Sequence, residues 1–374
     1  MFNPFSKITG AFTRDSESVL GVDIGTSAIK IVQLKKKKGR AVLETYGEVA
    51  LGPYSNLSIG QATNLPPDIV ATALTDLCKE ANVTAHKAAF GIPLQSSLVA
   101  LVEIPIPEGA PLAQMIPLEA RKYIPVPVSE VTLDWWVIPK RQTGFDDSAS
   151  ELAPRSESSP VKGLPTSEVL LVAIHNAMLE RYREIVANAK LAADIFEIES
   201  FSAVRAVVGD DLVPTLIIDV GASSTKIVIV DYGIVRISHV VSRGAQEVTL
   251  ALSKSLGVSF EVAEEKKRES GLGGEASSQI GSILEFIFYE ANQVITTYQK
   301  KYQRSLSKVF LVGGGSLLPG FGEEAARRFG VEVVLGDSFN KTETPGYLSA
   351  VLSKAGPEFS VAVGLALRKL QDVA

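Results

Sequence analysis

The segment Asp23-Ile-Gly-Thr-Ser-Ala-Ile-Lys-Ile-Val32 returns, nearly letter for letter, as Asp219-Val-Gly-Ala-Ser-Ser-Thr-Lys-Ile-Val228. A chain that repeats such a stretch must build the same local structure twice. Each copy follows an apolar run, Val19-Leu-Gly-Val22 and Thr215-Leu-Ile-Ile218, and leads into another, so each reads as strand, tight glycine turn, strand. The tip gathers an Asp, a turn glycine and small hydroxyl residues. Backbone N–H groups and hydroxyls in such a turn suit a phosphate, and the Asp suits the hydrated Mg2+ that travels with it. An ordinary hairpin turn needs only the Asp or the glycine, so the return of the hydroxyls and of the lysine is what favours phosphate binding. Two copies in two domains would grip one nucleotide from opposite sides.

A third element is Lys308-Val-Phe-Leu-Val-Gly-Gly-Gly-Ser-Leu-Leu-Pro-Gly-Phe321, which reads as a buried strand, a glycine run and a helix start. Gly313, Gly314 and Gly315 would let a planar base lie close against the backbone, with Ser316 beside them, and a helix N-terminus there would favour negative charge. The alternative is a Gly-rich strand-to-helix loop of the kind common in α/β folds. No Gly-Lys-Ser/Thr follows, which excludes the Walker pattern, and no paired half with an acidic ribose ligand follows, which disfavours a dinucleotide fingerprint.

The order Asp-x-Gly-x-Ser, second Asp-x-Gly, then Gly-Gly-Gly-x-x-x-Pro-Gly resembles the actin-like ATPase superfamily. Within it the chain looks like the PilM family, the actin-like proteins of type IV pilus assembly. The stretch Tyr123-Ile-Pro-Val-Pro-Val-Ser-Glu-Val-Thr-Leu-Asp-Trp-Trp-Val-Ile138 is similar to that family's inserted subdomain, which the division protein FtsA and sugar kinases do not carry in this form. The resemblance runs from about Val19 to Leu370. It implies an α/β fold of the actin-like, two-domain ATPase type, with duplicated ribonuclease-H-like halves and an inserted α+β subdomain.

Carried over residue by residue, the resemblance assigns Asp23, Gly25, Thr26 and Ser27 to a first phosphate loop, with Lys30 as a phosphate-contacting lysine. Asp219, Gly221, Ala222 and Ser223 match the second loop. Gly244 matches the glycine that lets the next segment approach the nucleotide, and Ala245 stands where relatives often carry a second glycine. Ala263-Glu264-Glu265-Lys266-Lys267 resembles a Glu-x-x-Lys that brackets a ribose, giving Glu264 and Lys267; the alternative is a solvated helix face. Glu199 falls where relatives place the group that orients an attacking water, and its alternative is a carboxylate capping the next helix.

The cofactors implied are ATP and Mg2+, with Asp23 and Asp219 meeting the metal through water. The partner implied is the cytoplasmic N-terminal segment of a PilN-type inner-membrane protein, docking between the first half and the inserted subdomain, together with other pilus platform proteins. The protein would then be a cytoplasmic scaffold, peripheral to the inner membrane through its partner and at most a slow ATPase. Two alternatives stay open: an FtsA-like division scaffold, which needs lipid binding, and a sugar-kinase-type phosphotransferase, which needs a catalytic Asp facing a polar substrate pocket.

Composition sets limits. At 374 residues the chain exceeds one comfortable core, and 46% hydrophobic residues suffice for two domains. A net charge of −5 implies no broad basic surface, so nucleic acid is not an expected partner. The basic run from Lys35 to Arg40 reads as a solvated hairpin tip. The single cysteine, Cys78, excludes a disulfide framework and reads as core, while His86, His175 and His239 lack ligand spacing. No apolar run long enough to cross a bilayer and no secretory signal are read, so a cytosolic protein is expected.

The expected organisation is a flexible tail at 1–18, a first half-domain from 19–86 and 194–213, an inserted subdomain at 87–193, and a second half-domain at 214–374 with an insertion at 246–274. Residues 141–167, rich in Ser, Asp, Glu, Pro and Gly, predict a disordered loop. A helix at 178–192 is expected to pack on the inserted sheet, and Ile283, Leu284, Ile287, Phe288, Ala291, Val294, Ile295 and Tyr298 mark the buried stripe of a long helix.

Overall fold

The structure is a computed structural model, and it describes residues 17–105, 111–139, 166–274 and 277–373. The expected tail at 1–18 and loop at 141–167 lie outside the described residues, apart from their edges at 17–18 and 166–167, which are ordered here.

The first repeat forms β1 (Ser18–Ile24) and β2 (Ala28–Lys37), which pair antiparallel with Asp23 opposite Lys30. β3 (Arg40–Ala50) pairs with β2 across a turn at Lys38 and Gly39, both at positive φ. The basic run thus sits at a hairpin tip, as expected from its charge and from Gly39. After α1 (Pro67–Glu80), the strand β4 (Lys87–Ile92) returns parallel to β1. The chain then leaves this sheet to build β5 (Ser97–Pro105), α2 (Leu112–Ala120), β6 (Val131–Val137) and β7 (Thr166–His175). It comes back through α3 (Asn176–Asn188), β8 (Ala192–Ile198) and α4 (Glu199–Val207). The first sheet runs β3-β2-β1-β4-β8.

The second repeat starts the same plan again. β9 (Thr215–Val220), β10 (Thr225–Asp231) and β11 (Ile234–Val241) form an antiparallel meander, followed by α5 (Ala245–Leu256), α6 (Phe260–Ser270) and α7 (Ser277–Tyr302). β12 (Lys308–Val312), α8 (Phe321–Phe329) and β13 (Glu332–Leu335) complete it, with β12 parallel to β9, and α9 (Ser349–Ala355) and α10 (Ser360–Gln371) end the chain. The sheet order β11-β10-β9-β12-β13 matches the first sheet strand for strand. A duplicated sequence has become a duplicated fold.

Burial explains the strand composition. In β1, Val19, Leu20 and Val22 are fully enclosed, because helices cover both faces, and a strand covered on both sides is apolar throughout. Leu20 and Val22 pack toward α1 and α3, while Val19 packs toward α4 and α10. In the second half, α7 lays Leu284, Ile287, Phe288, Ala291, Val294 and Tyr298 into the core, which is the stripe predicted for it. Burying side chains of this size stabilises by about 1.5–3 kcal/mol each before the entropic cost of ordering them.

Three expectations about the organisation are corrected. β4 was expected within the inserted subdomain at 87–193, but it lies between β1 and β8 in the first sheet. The inserted sheet is the separate β5-β7-β6 unit. α3 does not belong to that unit either: Leu179, Tyr182 and Ile185 join the first half's core with Leu74 and Phe90. Finally, α10 crosses back from the second half and packs on β1 and α4, so the first half ends with the C-terminal helix. The approach is close enough that a Cβ on Gly21 would lie 2.0 Å from the Ala362 carbonyl oxygen, and one on Gly364 would lie 1.9 Å from that of Ser202.

The stretch Gly346–Gln371 is long and apolar enough by composition to span a bilayer, contrary to the reading that no such run exists. It holds α9 and α10 and is mostly buried in the core, which accounts for its hydropathy.

Candidate functional site

The two hairpins close with the same bond. The Gly25 N–H donates to the Ala28 carbonyl at 3.0 Å, and the Gly221 N–H donates to the Ser224 carbonyl at 2.9 Å. A Cβ on Gly25 would lie 3.1 Å from the Ala28 oxygen, and one on Gly221 would lie 3.0 Å from the Ser224 oxygen, so both turns favour a residue with no side chain. The tips face each other. The Thr26 hydroxyl donates to Ser223 Oγ at 3.1 Å across the two halves.

Between them lies a cleft of about 400 Å3, lined by Asp23, Gly25, Thr26, Ser27 and Lys30 of the first half and Asp219, Gly221, Ala222 and Ser223 of the second. Gly244, Glu264, Lys267, Gly313, Gly314, Gly315 and Glu199 line it as well. A volume of this size is in the range of small-molecule and cofactor sites. Of the residues named from sequence, Ser316 alone is absent from the lining. It is buried, and its hydroxyl donates to the Gly313 carbonyl at 2.7 Å, sealing the glycine turn from behind. The helix start expected at the glycines is also corrected: Gly314–Leu317 is a single 3-10 turn, and α8 begins only after Pro319 and Gly320.

Each glycine at the second half's edge has a local reason. Gly313 sits at φ +80°, and a Cβ there would strike Asp219 Oδ1 at 2.4 Å. A Cβ on Gly244 would meet the Ala222 carbonyl oxygen at 2.4 Å. With that approach open, the Ala245 N–H donates to Gly221 O and the Gln246 N–H to Ala222 O, both at 2.9 Å, pinning the second hairpin to the start of α5. Ala245, where a second glycine was the family pattern, makes its backbone bond without one.

The floor of the cleft is a cluster of charge. Burial pushes the Asp23 carboxyl up to about 7, with Lys30 and Lys226 opposing and Glu199 and Asp219 reinforcing the shift. Burial likewise raises Asp219, against Lys226. Lys226 Nζ stands 3.0 Å from Glu199 Oε2 and 3.8 Å from Asp219 Oδ2. Burial opposes the ammonium charge, yet Glu199 and Asp219 hold Lys226 above its ordinary value. Glu199 opens α4, but its carboxylate does not cap that helix. Its Oε1 accepts instead from the Leu94 N–H at 2.9 Å. Lys30, the counterpart of Lys226, pairs within its own half with Glu48 at 3.1 Å.

On the far wall, Glu264 accepts from Thr249 Oγ1 and Lys267 Nζ, each at 2.6 Å, and from Arg268 Nε at 2.8 Å. Burial works to raise this carboxyl, but Lys267, Thr249 and Arg268 together hold it below its usual range. Glu264 is buried rather than on a solvated helix face. Gly60, at φ +88°, brings the loop after β3 over it, where a Cβ would lie 3.2 Å from Glu264 Cδ. The same loop reaches α5, with the Ala62 N–H donating to Gln246 Oε1 at 2.5 Å, and it reaches α6 through a Ser58 to Glu261 bond.

Sequence reasoning passed over several lining residues: Lys226, Glu48, Gln95, Arg268 and Glu358. Lys226 was visible in the repeat itself, seven residues after Asp219 as Lys30 is after Asp23. Glu48 is found by pairing, because β2 and β3 set it opposite Lys30. Glu358 carries no local signal and reaches the site only because the chain folds back before α10. Among the described residues, no group of three or more His, Cys, Asp or Glu side chains is arranged to hold a metal directly.

Known proteins share this architecture. The family described as type IV pilus assembly protein PilM matches residues 21–370. A solved structure described as the PilM-PilN type IV pilus biogenesis complex superposes with a TM-score of 0.76 at 23% identity, covering 94% of this chain and 98% of that one. The ethanolamine utilization protein EutJ from Carboxydothermus hydrogenoformans superposes with a TM-score of 0.52 at 17% identity, covering 94% and 89%. A MamK double helical filament superposes with a TM-score of 0.51 at 14% identity, covering 96% and 100%. The fold is therefore that of the actin-like ATPases.

Proposed function

Since the chain belongs to the PilM family of type IV pilus assembly proteins, we propose that it acts as a scaffold of the pilus assembly platform which binds ATP with Mg2+ between its halves and a PilN-type peptide at its inserted subdomain. The observation that carries the nucleotide reading is the meeting of the two glycine hairpins at Thr26 and Ser223. Their hydroxyls and turn amides suit the phosphate chain from both sides. Gly313 and Gly315 leave a cradle that a Cβ would fill, and Glu264 with Lys267 offers a buried polar pair on the same cleft, suited to sugar hydroxyls.

In this reading Asp23 and Asp219 orient water around a divalent cation, which when bound would screen the phosphates' charge. That assignment accounts for two buried carboxylates whose ionised forms burial disfavours. Lys30 and Lys226 supply the fixed positive charge. Glu199 is the residue proposed to orient an attacking water, but both its oxygens are engaged, by Lys226 and by the Leu94 N–H. A base so occupied supports slow turnover rather than rapid hydrolysis.

The partner is proposed from the family and from the PilN named in the matched complex. The inserted unit offers apolar surface for such a peptide, with Leu118, Tyr123 and Trp136 exposed. Binding there would place the protein at the inner face of the membrane through its partner. Calorimetry with Mg-ATP, and pull-down with the cytoplasmic N-terminal peptide of a PilN-type protein, test the two halves of the proposal. Failure to bind Mg-ATP would overturn the nucleotide part, and failure to capture the peptide would overturn the partner part.

A further inference from the structure

Lys226 and Glu199 form an ion pair across the two halves. Lys226 lies on β10 of the second half, and Glu199 starts α4 of the first. Both side chains are largely enclosed and both line the cleft. The equivalent lysine of the first hairpin has no such reach, since Lys30 is paired to Glu48 on the neighbouring strand of its own sheet.

Glu199 has a second attachment. Its other oxygen holds the Leu94 N–H at 2.9 Å, and Leu94 opens the short turn Leu94–Ser96. That turn is where the chain leaves the first sheet at the end of β4 and enters the inserted sheet at β5. Pro93, just before the turn, and Gln95, within it, line the same cleft. The inserted sheet in turn leans on the second half: Arg236 of β11 pairs with Glu168 of β7 at 2.9 Å, and the Ser238 hydroxyl donates to the Val99 carbonyl at 3.4 Å. A change at Leu94 thus acts at the root of a unit that bridges both halves.

Lys226 also reaches the second hairpin. A Cβ on Gly221 would lie 3.5 Å from its Nζ, so the ammonium stands directly against the turn assigned to phosphate. At present two carboxylates, Glu199 and Asp219, share this one cation. In an enclosed site the pairwise attraction is strong and hardly screened by salt. A more highly charged anion arriving at the hairpin competes for the ammonium, and Glu199 is then left as a buried carboxylate with a weakened partner, which is a costly state that the site relieves by moving or neutralising it.

We propose that Lys226 is a positioning residue that reads the terminal phosphate of a nucleoside triphosphate: the phosphate draws Lys226 from Glu199, Glu199 loosens its hold on Leu94, and the inserted subdomain is released at its root. This rests on the nucleotide reading of the cleft. It adds the physical element that such a scaffold needs, because a ligand shifts a conformation only as far as it binds the two states differently. A diphosphate, lacking the terminal group, would leave the Lys226 to Glu199 pair in place.

The test uses the reporter that the structure supplies, the Leu94 amide. Hydrogen exchange at Leu94, read by NMR or in a peptide covering 93–97, is measured on the full chain without nucleotide, with Mg-ADP and with Mg-AMPPNP, while calorimetry establishes saturation in each case. The expected result is exchange about tenfold faster with AMPPNP than with ADP. In Lys226→Gln the two nucleotides should give equal exchange, and Glu199→Gln serves as a second variant with the same expectation should the first not fold. Saturation by both nucleotides with the same Leu94 exchange in the wild-type chain overturns the inference and leaves the cleft reading standing. A difference that survives in Lys226→Gln also overturns it. Failure of Mg-AMPPNP and Mg-ATP to bind overturns both.

Discussion

The hydroxyl of Thr26 donates to Ser223 Oγ at 3.1 Å, although 197 residues separate them. Each stands in the tip of one hairpin, Thr26 directly after Gly25 and Ser223 two residues after Gly221, and each hairpin carries its Asp on the strand just before the turn. Two copies of one sequence segment therefore share a single cleft, and substitutions in the two copies should give matching effects. Asp23→Ala and Asp219→Ala should each abolish Mg-ATP binding by calorimetry with far-ultraviolet circular dichroism unchanged. Wild-type affinity in either variant would detach the hairpins from the nucleotide.

Asp23 also makes a prediction about pH. Its carboxyl ionises near 3.8 in an unfolded chain and is pushed up to about 7 by burial in the fold. The folded state therefore holds a proton that the unfolded state has lost, so the cost of this group appears as pH rises from 3.8 and is complete above about 7. Asp23→Asn removes that cost. In the nucleotide-free, metal-free protein it should raise stability by about 2 kcal/mol at pH 8, less than the full shift because the carboxyl faces cleft water, and by little at pH 4. Thermal melts at the two pH values check this. A lower melting temperature for the variant at pH 8 would show that the charged carboxylate is stabilising.

The closeness of α10 to its neighbours predicts the most damaging small substitutions. A Cβ on Gly364 would lie 1.9 Å from a backbone oxygen of α4, and one on Gly21 would lie 2.0 Å from a backbone oxygen of α10. Neither obstacle is a side-chain end that can turn aside. Gly364→Ala and Gly21→Ala should each cost about 1–3 kcal/mol or more in denaturant unfolding, whereas Gly209→Ala, with open space around it, should be near neutral. Equal melting of all three would remove the packing argument for the return of the C-terminal helix to the first half.

The sequence made the two hairpins legible because a repeat is read without knowing any long-range contact. Lys226 stands within it at the same spacing from its Asp as Lys30, although its bond to Glu199 of the other half is a long-range contact that the repeat does not show. The long helix was legible because its apolar stripe alone determines which face is buried. β4 was not, since Lys87-Ala-Ala-Phe-Gly-Ile92 is apolar on both faces and reads alike whichever sheet receives it. Periodicity reports that a strand is covered, not which strand lies beside it. α10 shows the same limit: its buried face fits either core, and what chooses the first half is the clearance left by Gly21 and Gly364. Ser316 was misread because a serine beside glycines suits both a ligand and the closure of its own turn, and here it closes the turn.

Gly60 offers the last prediction, on the wall opposite the hairpins. It takes φ +88°, a conformation that side chains with a Cβ rarely adopt, and a Cβ there would lie 3.2 Å from Glu264 Cδ, tighter than an ordinary van der Waals contact. The loop that carries it is fastened to the second half through Gln246 and Glu261. A branched side chain at this position would both strain the backbone and push against the carboxylate that Lys267 and Arg268 hold in place. Gly60→Val should therefore weaken Mg-ATP binding by about tenfold or more, through a narrowed and misplaced wall, with a stability loss of about 1–3 kcal/mol. Gln246→Ala removes one fastening without touching Glu264 and should weaken binding less than Gly60→Val does. Calorimetry on both variants separates the two contributions, and undiminished affinity in Gly60→Val would place the nucleotide's sugar elsewhere than at Glu264.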